Sequence, residues 1–435
     1  MSSAIDPSPA RIGIDFGTTN SSIARVTQDG VQLVQFPNGS PTSRSILYLE
    51  KAKRGILSSS GAGAIDRYLL AHREGDRPGR LIQSLKSYLP VRSLTGTEVF
   101  GRSYTLEDLI SRILGDLRAR AEAQFGVPVV RATVGRPVRF VGAETAEDEE
   151  FGLERLRAAF IRAGFEQIEF ELEPLAAAYK YQSTLDHAET ILIGDFGGGT
   201  SDFSLLTVGP GGERKVLGNA GLPFAGDAFD ARIVRKLIAP ALGSDTTAMG
   251  MNKVALPAVP AWIYANLERW HYLSFLRTRN VLEILTAAEK RASEPDKIQA
   301  LLALIDEDLG YQLHQAVQRT KTTLSREPVA EFVFSGPEAG TLELRTSVTR
   351  VDFEGWIRPE LEQIAASVDT LLKDAGANAK DVDCVFLTGG TSFVPAVRAI
   401  FEVRFPGRIV AGDEFTSVAQ GLALSANEAF QATTP

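Results

Sequence analysis

The sequence predicts an α/β protein of two lobes, each founded on a strand hairpin and each carrying inserted subdomains. Three observations lead there. A unit of strand, glycine turn and strand occurs twice, as IGIDFGTTNSSIA at Ile12 to Ala24 and as ILIGDFGGGTSDFSLL at Ile191 to Leu206. Strand-like and helix-like segments alternate through both halves, the pattern of layered α/β folds. A chain of 435 residues with 44% hydrophobic content is also too long for one compact core, so two bodies are expected.

Taken in order, residues 1–10 read as an unstructured lead-in, 11–188 as the first lobe, 189–429 as the second and 430–435 as a tail. From Arg11 to Phe36, β-branched runs broken at Gly17 and at Gln28 to Gly30 read as strands joined by hairpin turns. Residues 37–104 mix Ser, Gly, Arg and Pro with few periodic runs, and are expected to be an irregular insertion. Thr105 opens an amphipathic helix: Leu106, Leu109, Ile110, Ile113, Leu114 and Leu117 recur at helical spacing, with an acid three residues after the Thr cap. A strand at Val129 to Gly135 leads to an acidic helix over Glu144 to Gly164. A largely helical insertion is expected over 231–310, followed by strands at Ala330 to Phe334 and Gly340 to Phe353 and a helix from Glu354 to Ala375. VDCVFLTGGTSFVPAVRAIFEVRF, Val382 to Phe405, then reads as strand, diglycine and helix, and SVAQGLALSANEAF from Ser417 as a last helix.

Composition narrows the function classes. A net charge of −8 speaks against nucleic acid as a partner, since phosphate backbones call for clustered Lys and Arg. The first ten residues lack the basic flank and apolar run of a signal peptide, and no stretch reaches the roughly 18 apolar residues of a membrane span, so a cytoplasmic protein without a membrane partner is expected. Cys384 is the one cysteine, reads as a small buried hydrophobe, and leaves no internal disulfide. The four histidines, His72, His187, His271 and His314, are scattered and assemble no zinc-type ligand set.

The glycine turns carry the chemistry. In each unit an acid closes the first strand, Asp15 or Asp195, and glycine with threonine makes the turn: Gly17, Thr18 and Thr19 in one, Gly197, Gly198, Gly199 and Thr200 in the other. Backbone N–H groups freed of Cβ atoms can converge on an anion, and threonine hydroxyls add donors. Two such turns facing each other would hold a polyphosphate, with Asp15 and Asp195 holding its Mg²⁺ through waters, because Mg²⁺ dehydrates reluctantly. Either turn alone is as well explained as a tight hairpin; the matching acids make the pair point to a ligand. Neither is a P-loop, which needs a Gly-Lys pair this chain lacks, nor a dinucleotide fingerprint, whose glycines lie between strand and helix. The diglycine Gly389 and Gly390 would let a flat nucleoside ring lie against the backbone.

These residues resemble the ATPase superfamily of actin, sugar kinases and the seventy-kilodalton heat-shock chaperones. The chaperone branch matches best, through IGIDFGTTNSSIA, GDFGGGTSDFSLL, FAGDAFDARI (Phe224 to Ile233) and FLTGGTSFVP (Phe386 to Pro395), over about Arg11 to Ala429. The resemblance implies a two-lobed actin-like ATPase fold with duplicated ribonuclease-H-like lobes, ATP or ADP with Mg²⁺ as ligands, and a protein client or cochaperone as partner. Residue by residue it implies Asp15, Asp195 and Asp202 around Mg²⁺ and its waters, and Gly17, Thr18, Thr19, Asn20 and Gly197 to Thr200 on the phosphates. It implies Lys86 as the lysine that positions the attacking water, Glu173 near the γ-phosphate, and Asp195 and Thr200 among the groups that serve hydrolysis. Gly226, Gln318, Lys321, Ser325, Gly389, Gly390 and Phe393 fall where the family contacts adenosine.

The sequence also departs from the family. Gln318 stands for its usual glutamate and Phe393 for the arginine that stacks on adenine, and the loop VGRPV, Val134 to Val138, displaces its proline to Pro137. Together with the helical insertion these features resemble the YegD-type branch. The family's acidic-hydrophobic linker and C-terminal peptide-binding domain have no counterpart in the sequence, so a nucleotide switch without the usual peptide clamp is expected: slow Mg-dependent ATP hydrolysis driving lobe opening and closing. The competing readings on the same fold are a sugar-type small-molecule kinase, an actin-like filament ATPase and a non-hydrolysing nucleotide-sensing scaffold.

Overall fold

A computed structural model describes residues 10–74, 79–182, 185–210, 214–249, 254–269, 272–336, 342–411 and 416–433. The two glycine-turn units each nucleate a five-strand path of the same design. In the first sheet β1 (Ala10–Phe16), β2 (Asn20–Thr27) and β3 (Gly30–Leu33) run antiparallel, while β4 (Val129–Arg136) and β5 (Gln167–Leu172) add in parallel on the other side of β1. In the second, β6 (Glu189–Phe196), β7 (Ser201–Val208) and β8 (Arg214–Leu222) repeat the antiparallel meander, and β9 (Cys384–Thr388) and β10 (Ile409–Ala411) repeat the parallel pair. The strand order is β5-β4-β1-β2-β3 in one and β10-β9-β6-β7-β8 in the other. A short link suffices for each antiparallel step, whereas each parallel step needs a long crossover, and that is where helices and inserted subdomains enter the chain.

The central strands are near-continuous apolar runs because both faces are covered. Ile12, Ile14 and Phe16 of β1 join Leu109, Ile113 and Phe160 in the core of the first sheet. The Leu106–Phe125 helix starts at a complete capping box between Thr105 and Asp108 and ends at Gly126 in the left-handed region, and a second box between Thr145 and Asp148 opens the Ala146–Arg162 helix. The Ser417–Thr433 helix lies so close to β1 and to the Glu173–Gln182 helix that side chains are forbidden at two points. A Cβ on Gly13 would fall 2.2 Å from the Ala423 amide, and one on Gly421 1.6 Å from the Ala176 carbonyl oxygen. Under the second sheet Phe196 meets Phe203 and Phe401 edge-on.

Residues 37–104, expected to be irregular, hold a three-stranded sheet of Ile46–Ala52, Gly55–Ser60 and Gly79–Gln83 with the Gly61–Glu74 helix. The expectation fails because Gly55–Ser60 is a half-exposed, serine-rich edge strand without alternation, ordered by its pairing to the buried Ile46–Ala52. The helical insertion contains Ala261–Leu267, Arg279–Glu289 and Pro295–Asp306, and also a short hairpin of Thr247–Met249 with Ala255–Pro257. The helix expected over Glu354 to Ala375 is two, Arg350–Trp356 and Arg358–Asp374. Two compact units result: one comprises 1–225, 364–392 and 397–435, the other 226–363 and 393–396. Both sheets and both glycine turns belong to the first. Among the described residues no helix is long and apolar enough to cross a membrane.

Candidate functional site

The two turns are the same object built twice. Phe16 pairs with Ser21 and Phe196 with Ser201, leaving four-residue turns Gly17 to Asn20 and Gly197 to Thr200. Each closes with a 3.0 Å bond, the Gly17 amide donating to the Asn20 carbonyl and the Gly197 amide to the Thr200 carbonyl. Gly17 is sterically required, since its Cβ would lie 2.3 Å from the Asn20 carbonyl oxygen. Gly197 is not: the nearest atom to its missing Cβ is 3.5 Å away and its φ is ordinary. The structure brings the turns together, for the site a Cβ on Gly199 would occupy is 3.3 Å from Thr18 Oγ1 and 3.6 Å from Ser87 Oγ. Asn20 is engaged elsewhere, its side-chain carbonyl accepting from Arg44 at 3.4 Å, and the Thr19 carbonyl accepts the Ser45 amide.

The strand register then places the acids. Asp195 lies directly across from Asp202 in the β6/β7 ladder, an arrangement that sets like charges against each other and destabilises the sheet unless something compensates. Asp202 is 1% exposed. Its Oδ1 accepts the Val138 amide at 2.8 Å and the Arg139 amide at 3.3 Å, which ties the segment after β4 to the site, and Thr200 donates to it from the turn. Room for that carboxylate comes from Gly221, its partner on β8, where a Cβ would sit 3.1 Å from Oδ1.

Lys86 completes the cluster from the short Leu85–Tyr88 turn, which follows Ser84 in the left-handed region at φ 55°. Its Nζ donates to Glu173 Oε1 at 2.6 Å, with both side chains more than nine-tenths buried. Burial works against the Lys86 charge, but Glu173, Asp15 and Asp202 outweigh it and hold the ammonium above its ordinary range. The acids shift the other way. Burial lifts Asp15 well above the carboxylate range, with Glu173 and Asp195 adding to the rise and Lys86 opposing it. Burial, then Glu173, then Asp202 push Asp195 up to about 8, and burial with Glu173 pushes Asp202 to about 7. Four carboxylates thus face one ammonium, a local excess of negative charge that a divalent cation would relieve. Among the described residues no three His, Cys, Asp or Glu side chains converge closely enough to ligate an ion by themselves.

The expected nucleoside contacts separate into two groups. Gly226, Gln318, Lys321 and Ser325 belong to the second unit, the last three on one face of the Gly310–Arg326 helix. Here sequence reasoning missed Asp230, which is 3% exposed and organises them. Lys321 Nζ lies 2.7 Å from its carboxylate and donates to the Gly226 carbonyl at 3.1 Å, while Gln318 Nε2 donates to Asp230 at 3.1 Å and Ser325 Oγ to the Lys321 carbonyl. The signal was present in FAGDAFD, which puts Asp230 one helical turn after Gly226. Phe393, also of the second unit, is 42% exposed at the end of the Gly390–Phe393 turn. Gly389, in the first unit, has its own reason to be glycine: φ is 82° and a Cβ would strike the Phe196 carbonyl oxygen at 2.1 Å. Thr391, a second residue missed, donates to the Gly197 carbonyl at 3.3 Å and so joins the diglycine element to the second turn.

The family described as Hsp70 protein matches residues 89–256 and 296–429. The chain is similar to proteins named chaperone protein DnaK from Thermotoga petrophila, Thermotoga maritima and Thermotoga neapolitana, at 26% identity over 426 residues. Those alignments cover 95% of this chain and 59% of each relative, so the chain spans less than two thirds of the relatives' length. The duplicated sheets are those of the two-lobed actin-like ATPase fold, and the chain belongs to the Hsp70 family.

Proposed function

We propose that the chain binds Mg·ATP and hydrolyses it slowly, the nucleotide state biasing the opening and closing of its two lobes as in a chaperone-type switch. The observation that carries this reading is the cluster of Asp15, Glu173, Asp195 and Asp202 around Lys86, with Lys86, Glu173 and Asp202 buried and Asp15 and Asp195 partly so, set beside two glycine turns of identical register. The amides of Thr18 and Thr19 and of Gly198 to Thr200 would hold the phosphates, while the Gly17 and Gly197 amides close the turns that present them. Gly197 supports this directly, since neither its φ nor its neighbours demand glycine, and close approach of a ligand to the backbone supplies the missing reason. Asp15, Asp195 and Asp202 would hold Mg²⁺ through waters, and the metal, when bound, supplies charge neutralisation of the transferring phosphoryl group.

The chain's own contribution to turnover is positioning. Lys86, fixed by Glu173, orients a water and presents positive charge, while Thr200 fixes Asp202 and contributes a hydroxyl beside the turn. Gly226, Gln318, Lys321, Ser325, Gly389, Gly390 and Phe393 serve the adenosine end, with Phe393 offering a ring where the family has a guanidinium. Clients and cochaperones of the relatives named DnaK enter as a class of partner only. Calorimetric titration with Mg·ATP, Mg·ADP and Mg·GTP tests the reading: adenine nucleotides are expected to bind in the micromolar range or tighter and only with Mg²⁺ present, and absence of binding would discard it.

A further inference from the structure

A second feature belongs to the second unit. The Hsp70 match leaves residues 257–295 uncovered, and the Arg279–Glu289 helix falls there. Positions 279, 282, 283, 286, 287 and 290 share one helical face. With Arg277 and Arg291 they line an open groove of about 820 Å³. Leu282 and Ala287 supply its apolar middle; Arg277 and Arg279 stand at one end, Lys290 and Arg291 at the other. Eleven residues of helix put those ends about 16 Å apart. Glu283 is the one acid in the lining, and it is already paired with Arg279 at 2.8 Å. The groove is therefore strongly positive on a chain whose net charge is −8.

Two further observations argue that the charge is placed for a partner. Arg277 and Arg279 flank the helix start, with no acid in the first turn, where the macrodipole disfavours cations. Beyond the other end, Ala292 bridges Ala248 of the Thr247–Met249 strand, and that hairpin leaves Met249 66% and Leu256 54% exposed. An apolar centre with net positive charge at each end, Arg277 beside the Arg279–Glu283 pair at one and Lys290 with Arg291 at the other, bordered by more exposed apolar surface, is complementary to one kind of ligand. The geometry points to a docking surface for an acidic amphipathic helix of a partner protein, its apolar face on Leu282 and Ala287 and its carboxylates against the two basic ends.

The test uses the full chain and a fluorescein-labelled helical peptide of about 15 residues, with leucines at i, i+3, i+4 and i+7 and a glutamate pair at each end, followed by anisotropy. Saturable binding is expected, weakened about tenfold or more between 50 and 300 mM salt because the contacts are solvent-exposed charges. The fourfold reversal Arg277→Glu, Arg279→Glu, Lys290→Glu and Arg291→Glu is expected to abolish it with unchanged circular dichroism. The milder pair Arg277→Gln and Arg291→Gln is expected to weaken it several-fold, which guards against a folding defect in the first variant. The proposal is overturned if the wild-type chain shows no saturable binding, if either variant binds like wild type, or if a peptide with the glutamates moved to its middle binds equally well. It is equally overturned if a single-stranded RNA of similar length displaces the peptide at lower concentration, which would make the groove a polyanion site.

Discussion

Replacing Lys86 with methionine removes the one cation from a cluster of four carboxylates while keeping most of the side-chain volume. At 2.6 Å from Glu173 Oε1, and with an effective dielectric near 20, the pair attracts by about 6 kcal/mol, much of it offset by desolvation of both ions. What the single variant leaves behind is a buried Glu173 charge without its partner, and such losses cost about 3–5 kcal/mol. The double variant Lys86→Met with Glu173→Gln also removes the Glu173 charge that Lys86 leaves unpaired, so it should be more stable than Lys86→Met alone, with a coupling of about 2 kcal/mol or more. Urea unfolding without Mg²⁺ or nucleotide reads both. Single-turnover hydrolysis reads the functional half: Lys86→Met should lose about 10²–10³ in rate with nucleotide affinity changed only a few-fold. If the single variant loses less than about 1 kcal/mol, or the two substitutions add, the buried pair is not what holds the site together. Unchanged turnover would remove Lys86 from the water-positioning role.

Three further outcomes follow from particular distances and charges. Gly17→Ala should destabilise the chain by about 1–3 kcal/mol, because its Cβ meets backbone at 2.3 Å. Gly197→Ala should stay within about 0.5 kcal/mol of wild type yet weaken nucleotide binding at least tenfold by calorimetry, and equal behaviour of the two would erase the distinction between them. Asp195 and Asp202, raised to about 8 and about 7, hold protons in the folded state that the unfolded chain has released, so metal-free stability should fall as pH rises from about 4 towards 8. Asp195→Asn or saturating Mg²⁺ should flatten that fall, and a stability that climbs across this window would contradict the assignment. Burial pushes the Cys384 thiol up to about 11, so its reaction with a disulfide reagent at pH 8 should take hours in the folded chain and quicken about tenfold per pH unit; completion within minutes would show an exposed thiolate.

The parts of the fold that were legible in sequence are those governed by local chemistry. Thr105 and Asp108 form the box that the pattern anticipates, and the two hairpins carry their register in the position of glycine relative to the acid. The small sheet within 37–104 was illegible because Gly55–Ser60 becomes a strand only by pairing with Ile46–Ala52, a tertiary effect that no period in its own sequence records. Within the site, the pairing of Asp15 with Asp195 was legible in the two matching turns, whereas the approach of Lys86, Glu173 and Asp202 depends on contacts between segments far apart in the chain and reached the sequence reading only through family resemblance. Asp230 was illegible as a partner because the lysine that needs it when buried, Lys321, lies far along the chain on the Gly310–Arg326 helix. Gly389 shows the opposite error of emphasis: its backbone angle and its contact with Phe196 account for glycine without any ligand.

Duplication explains why the site is asymmetric as well as why it exists. Both hairpins place an acid one residue before the end of the first strand, Asp15 before Phe16 and Asp195 before Phe196. Across from Asp15 stands Ser22, a neutral hydroxyl; across from Asp195 stands Asp202. The first hairpin is therefore tolerable by itself, whereas the second carries a like-charge pair that costs stability until a cation or a proton arrives. That cost is placed where the chain can use it, because Asp202 also accepts the Val138 and Arg139 amides. Whatever changes the charge on the Asp195 and Asp202 pair changes the strength of two hydrogen bonds that fix the loop after β4, since a charged acceptor holds a backbone amide more tightly than a neutral one. A cation would relieve the repulsion while keeping Asp202 ionised against the Val138 and Arg139 amides, whereas a proton on Asp202 relieves the repulsion but loosens the loop, so it is at the second hairpin, not the first, that occupancy of the site would reach the backbone.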